Sequence, residues 1–153
     1  VLPPFLDPSQ RAPVMGTMPL ASIASSMTFG VWALRRMSAV SLVMCGFGFS
    51  AVCMMWLWAD PANITACIAL AAALGLIQGG SFAVVPQLNE TAVTQAQANG
   101  AMAQMGNLGN TLGTPVMVAA LAVFGYNALP MFVGLALVLG LLAHLVTRVL
   151  RHA

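Results

Sequence analysis

Amide side chains within otherwise apolar stretches are the residues of this chain that are best suited to chemistry. Gln78 lies in one such stretch, and Gln104, Asn107 and Asn110 lie in another. An amide that faces lipid keeps its donors and acceptors without hydrogen-bond partners, which costs several kcal/mol. We therefore expect these amides to face other helices or a hydrated cavity, and we regard them as the main indication of function.

Four polar residues of the second stretch fall on one helical face. Gln104, Asn107, Thr111 and Thr114 follow one another at intervals of three, four and three residues, and this spacing returns to the same side of an α-helix. We call this face the polar stripe. We favour a role for Gln104, Asn107 and Thr111 in binding a solute; the alternative is that the amides only hold helices together. For Gln78 both interpretations stay open.

Glycines accompany both groups of amides. They are Gly75 and Gly79 around Gln78, and Gly106, Gly109 and Gly113 beside the polar stripe. Glycines spaced by three or four residues let two helix backbones approach closely, although a single G-x-x-x-G pair is a weak signal. Pro115 frees a carbonyl one turn back, near Thr111, and so gives this helix a bendable point. We expect these residues to serve gating or helix packing.

The composition is that of a membrane protein. Of the 153 residues, 60% are hydrophobic and 5% are charged, whereas soluble domains carry about 25% charged residues. The mean hydropathy is +0.93. The net charge of +2 is too small to indicate nucleic-acid binding. The three cysteines show no metal-ligand spacing, so we expect neither metal nor cofactor. The sequence predicts an all-α, polytopic helix bundle in the lipid bilayer.

Five apolar stretches divide the chain. About 20 residues suffice to cross the hydrocarbon core. The predicted spans of the single membrane domain, 1–153, are residues 12–34, 38–58, 64–85, 100–124 and 128–146. Prolines are expected to keep residues 1–11 from forming a helix, and residues 86–99 are predicted to be a polar link. Neither a signal peptide nor an initiator methionine is recognisable, so we expect a fragment of a longer protein.

The arginines set the expected orientation. With five spans, Arg35, Arg36, Arg148 and Arg151 lie on one side of the membrane, and only Arg11 lies on the other. Because arginine and lysine are concentrated in cytoplasmic loops, we expect a cytoplasmic C-terminus, in a bacterial inner (plasma) membrane.

Few residues offer charge-based chemistry. Glu90 lies on the same predicted side as Arg35 and Arg36, where an ion pair would act as a latch; a solvated glutamate is the alternative. His144 is interpreted as a packed or interfacial residue rather than a proton relay. No acidic residue lies in the middle of a predicted span, and no catalytic motif is present. We therefore expect that the protein is not an enzyme.

Three motifs together resemble the C-terminal half of a major facilitator superfamily transporter, from the end of its seventh helix through its twelfth. Gly30–Arg36 resembles the family's G-x-x-x-D-R motif, with Leu34 in place of the aspartate. Pro86–Gly100 resembles the link between the tenth and eleventh helices. Gly106–Pro115 resembles the eleventh-helix pattern G-N-L-G-x-x-x-G-x-P and is the most specific match.

The resemblance implies a twelve-helix secondary transporter that works by alternating access. Its partners would be a small-molecule substrate and an N-terminal six-helix half, and its binding site would lie near the bilayer midplane. The first, third and fourth predicted spans would line the cavity. Two alternatives stay open: a non-transporting membrane subunit that uses its glycine-rich helices for assembly, and, with less support, an enzyme embedded in the membrane.

Overall fold

The computed structural model describes residues 6–152, except for the side chains of Arg148, Leu150, Arg151 and His152. The described residues are almost entirely helical and contain no strand, which confirms the all-α class. The elements are α1 (Pro8–Ser25), a π turn (Ser26–Gly30), α2 (Val31–Leu34), α3 (Ala39–Ala59), α4 (Ile64–Leu88), α5 (Ala92–Phe124), a 3₁₀ turn (Gly125–Asn127) and α6 (Ala128–His152).

Four described stretches are long and apolar enough to cross a membrane: Pro8–Leu34, Ala39–Ala59, Ile64–Leu88 and Ala92–Thr147. The last is 56 residues long and contains both α5 and most of α6. The chain bends between these two helices at Gly125, whose φ of 62° is a left-handed conformation that glycine adopts without strain. These long apolar helices are those of an integral membrane protein, and the division into five spans stays a prediction.

The helix ends differ from the predicted spans at several places, and α4 and α6 end later than predicted, at Leu88 and His152. Helix α1 begins at Pro8, because a proline in the first turn lacks only an N–H that has no helical partner there. Helix α5 begins at Ala92, because Thr91 and Thr94 form a capping box that satisfies the first free N–H groups. The predicted polar link, 86–99, is thereby reduced to residues 89–91. The prediction that prolines keep residues 1–11 from forming a helix is therefore wrong for residues 8–11; Pro3 and Pro4 lie outside the described residues.

Helices α1 and α4 pack in parallel at two glycines. A Cβ atom at Gly75 would collide with the backbone of Ser22, and one at Gly79 would collide with the hydroxyl of Ser26. Both contacts advance by four residues in the same direction, so the two helices run in the same direction. Gly75 and Gly79 thus lie where the two helices approach closely, and at Gly75 only a hydrogen fits beside the Ser22 backbone.

Helix α3 runs antiparallel to α4. A Cβ atom at Gly80 would lie 2.8 Å from Val43 Cγ2, and one at Gly46 would lie 2.8 Å from Ile77 Cγ1. The contact moves from Val43 to Gly46 along α3 as it moves from Gly80 back to Ile77 along α4. The two helices therefore form a tight antiparallel hairpin. The turn between them is closed by Asn63, whose side-chain Oδ1 accepts a hydrogen bond from Ala66 N at 2.9 Å.

Helix α6 lies along α3 in the opposite direction. The Tyr126 hydroxyl donates a hydrogen bond of 2.6 Å to the carbonyl of Leu57 at one end. Towards the other end, Gly140 faces the ring of Phe47, where a Cβ atom would lie 2.5 Å from Cε1. The ring of His144 packs on the same phenylalanine, with a centroid distance of 5.4 Å, and its Nδ1 lies 2.9 Å from the Gly140 carbonyl oxygen. His144 is thus a packed histidine.

The buried core is concentrated at one end of the bundle, where α1, α4 and α6 begin and α3 and α5 end. Its members include Leu6, Val14, Cys53, Leu57, Cys67, Leu70, Met117, Leu129 and Leu137. Met117 is the one residue of α5 that is buried. Helix α5 is therefore anchored to the bundle by its last turns, and its earlier turns have little packing from this chain.

Candidate functional site

The polar stripe occupies one face of a continuous helix. Gln104, Asn107, Thr111 and Thr114 all lie within α5, which passes through Pro115 without a break. From Gln104 to Thr114 the stripe is about 15 Å long, at a rise of about 1.5 Å per residue. All four side chains are exposed, and none of them hydrogen-bonds to another residue in the described part of the chain. The stripe is a row of free donors and acceptors on an apolar helix.

The glycine face, which lies roughly opposite the stripe on α5, is equally open. A Cβ atom placed at Gly106, Gly109 or Gly113 would meet no atom within 4 Å, whereas the same atom at Gly75 would collide with backbone. Every described residue from 103 to 112 is exposed. Both faces of this part of α5 are thus open to contact with lipid, water or another helix.

A second polar position lies between α1 and α4. Gln78 is exposed and borders a groove of about 240 Å³, together with Ser22, Ser26, Met27 and other residues of the two helices. The groove follows the line on which Gly75 and Gly79 contact α1. The sequence showed the two serines in an apolar span but did not connect them with Gln78, because that pairing depends on the packing of α1 against α4.

The π turn beside this groove was not predicted. Ser26–Gly30 forms one wide helical turn between α1 and α2, and Thr28 Oγ1 donates a 2.6 Å hydrogen bond to the carbonyl of Ala24 within it. Such turns are rare and occur frequently at functional sites. Ser26 and Met27 belong both to this turn and to the groove.

The opposite side of the α1–α4 contact is apolar. A larger groove of about 470 Å³ is lined there by Phe29, Leu42, Cys45, Phe49 and Leu76, among others, and includes residues of α3. The contact between α1 and α4 therefore has a polar side and an apolar side. In a bilayer, an apolar groove suits lipid chains, and the polar groove suits a hydrated or protein-filled space.

The proposed latch residues are exposed at the α2–α3 and α4–α5 turns. The Arg36 guanidinium lies 5.0 Å from the centroid of the Trp32 ring, a cation–π contact. Within the described residues, neither Arg35 nor Arg36 forms an ion pair with Glu90. The helix ends are instead joined by Gln87 Oε1, which accepts a hydrogen bond of 2.9 Å from Ala39 N at the start of α3.

The arrangement offers neutral hydrogen-bonding groups and no charge. Among the described residues no three His, Cys, Asp or Glu side chains approach closely enough to hold a metal ion. Cys53 and Cys67 are buried free thiols, and Cys45 is exposed. Comparison with protein-family models, with curated proteins and with solved structures finds no match to this chain.

Proposed function

We propose that this chain is part of a major facilitator-type secondary transporter that moves a small solute across the membrane by alternating access. The observation that carries the proposal is the exposed polar stripe on α5. An apolar helix with four unpaired polar side chains is costly in lipid, so the stripe requires either a second helix bundle or a hydrated pathway. We choose the major facilitator class because Gly106–Pro115 resembles the eleventh-helix pattern of that family.

The stripe and the groove have distinct roles in this proposal. Gln104, Asn107 and Thr111 bind the solute from α5, and Gln78 binds it from α4. Pro115 allows α5 to bend, and Gly106, Gly109 and Gly113, on the side of α5 roughly opposite the stripe, let it move against neighbouring helices. Gly75 and Gly79 hold α1 on α4, so that these helices move as one body.

The surroundings follow from the same proposal. An N-terminal six-helix half covers the stripe, and the solute gradient or an ion gradient supplies the energy. In this proposal the protein lies in a bacterial inner (plasma) membrane, and the turn of Arg35 and Arg36 and the C-terminus face the cytoplasm, where arginines are concentrated. Arg35 and Glu90 act at the cytoplasmic gate, and no catalytic role or cofactor is involved.

A second candidate function is supported by the glycine face of α5. A Cβ atom at Gly106, Gly109 or Gly113 would meet no atom of the described residues within 4 Å, and open glycine faces promote helix association in membranes. A non-transporting membrane subunit would use this face for assembly. It differs from a transporter in that the polar stripe would be fully dry once the partner is bound.

Uptake by proteoliposomes tests the proposed function. The 153-residue chain alone is expected to give no saturable uptake, since one bundle cannot alternate access around a site shared by two. The full-length protein is expected to give saturable uptake of at least one radiolabelled solute from a panel of polyols, amides, amino acids and organic ions. Empty liposomes serve as the control.

Either of two results would contradict the proposal. Saturable uptake by the 153-residue chain alone would show that a second half is unnecessary. A gene whose upstream sequence encodes no further apolar spans would remove the second half altogether.

A further inference from the structure

The groove between α1 and α4 has features of a binding subsite that the polar stripe does not share. It is a concave space of about 240 Å³, a little below the range of about 300–1,000 Å³ that is usual for ligand pockets. Gly75 and Gly79 form its floor. Because neither has a side chain, α4 can lie directly against Ser22 and Ser26, with which an added Cβ atom would collide. A site of this size holds a small solute or one polar end of it.

The groove lies near the middle of α4, a helix that is long and apolar enough to cross a membrane. Along the axis of α4, Gln78 is about 21 Å from Ile64 and about 15 Å from Leu88, at a rise of about 1.5 Å per residue. The hydrocarbon core of a bilayer is about 30 Å thick. The Gln78 amide is therefore near the middle of α4, and it has no hydrogen-bond partner in the described part of the chain.

The chemistry of the lining is neutral. Ser22, Ser26 and Gln78 supply hydroxyl and amide groups, and Met27 and Phe82 supply apolar surface. Among the described residues that line the groove, none is Arg, Asp, Glu or His. A charged solute at this depth would lose its hydration without gaining a counter-charge, whereas hydroxyl and amide groups would find donors and acceptors.

We infer that the α1–α4 groove is a subsite for a small uncharged solute that carries hydroxyl or amide groups. This inference rests on the proposed transport function and names the substrate class that it serves. Gln78 and Ser26 hydrogen-bond to the solute, and Phe82 covers its less polar side. The apolar groove on the other side of the same helix contact faces lipid and holds no solute.

Thiol labelling of the full-length protein in membrane vesicles tests the inference. The variant Ser26→Cys is made in a background in which Cys45, Cys53 and Cys67 are alanine. It is treated with methanethiosulfonates that carry a hydroxyethyl, a sulfonatoethyl or a trimethylammonioethyl group, and each rate is divided by that for a free thiol in water. The hydroxyethyl reagent is expected to react at least about tenfold faster than either charged reagent.

The native Cys45 is the matched control, because it lines the apolar groove. With Cys53 and Cys67 replaced, it is expected to react slowly with all three reagents, since lipid chains in an apolar groove exclude polar reagents. Met27→Cys is the second variant; Met27 is 70% exposed and lines the polar groove without packing on Gly79, so this variant is expected to fold even if Ser26→Cys does not.

A solute pair of matched size completes the test. Lactamide is expected to slow labelling of Ser26→Cys at least about twofold, and lactate is expected to leave it unchanged, because only lactate would bring an unpaired charge into the groove. Three results would overturn the inference that the solute is uncharged: fast reaction with the charged reagents, protection by lactate alone, or protection by neither solute. None of these results would contradict the proposed transport function. Slow reaction with every reagent would instead remove this groove from the pathway and count against the proposed function here.

Discussion

Replacing Asn107 by leucine in the full-length protein is expected to reduce uptake by about 10- to 100-fold. Leaving a buried polar partner unsatisfied costs about 1–3 kcal/mol, and about 1.4 kcal/mol corresponds to a factor of ten in binding. Asn107 lies in the centre of the polar stripe and is exposed, with no hydrogen-bond partner among the described residues. Initial uptake rates in proteoliposomes, measured at several solute concentrations, give the size of the effect.

The matched control for Asn107→Leu is Met105→Leu. Met105 is 66% exposed and lies on the side of α5 away from the stripe, so this variant is expected to keep its uptake. Both variants are expected to elute as folded protein in size-exclusion chromatography, because neither residue is packed in this chain. Normal uptake by folded Asn107→Leu would remove this residue from the binding site.

Substitution of Gly75 by leucine is expected to separate α1 from α4. The added side chain meets the Ser22 backbone, which cannot move away without moving the helix. Overpacking of this kind costs about 1–3 kcal/mol, and occasionally more. The midpoint of thermal unfolding of the 153-residue chain in detergent is expected to fall by about 2–4 °C per kcal/mol, with unfolding followed by tryptophan fluorescence.

Gly106→Leu is the matched control in the same chain. It adds the same side chain to a helix, but a Cβ at Gly106 meets no atom within 4 Å. Its unfolding midpoint is expected to stay close to that of the unchanged chain, within the range of about ±0.5 kcal/mol typical of surface substitutions. Equal losses in the two variants would mean that the α1–α4 contact does not stabilise the bundle.

Local periodicity explains what could be predicted from sequence. The spacing of the polar residues from Gln104 to Thr114 defines one helical face, whatever surrounds the helix. These residues lie within the continuous helix α5. The G-x-x-x-G spacing of Gly75 and Gly79 likewise predicted a close helix contact. In both cases the signal lies within a single helix, and no knowledge of its neighbours is needed.

The features that were missed depend on other elements or on weak local signals. The contact partners of Gly75 and Gly79, Ser22 and Ser26, lie on a helix some 50 positions earlier in the chain, and no spacing rule joins them. The start of α5 was placed too late because Thr91 and Thr94 form a capping box without the usual glutamate or glutamine. The π turn has no recognised sequence signature in this segment.

Water access to the polar stripe in the full-length protein is the most direct test of the central claim. In a background with the native cysteines replaced, Gln104→Cys and Asn107→Cys are treated with a membrane-impermeant thiol reagent, and Met105→Cys is the reference. Both stripe positions are expected to react at least about tenfold faster than the reference, because only a hydrated thiol ionises readily. Stripe positions as unreactive as Met105→Cys would contradict a solute pathway along α5.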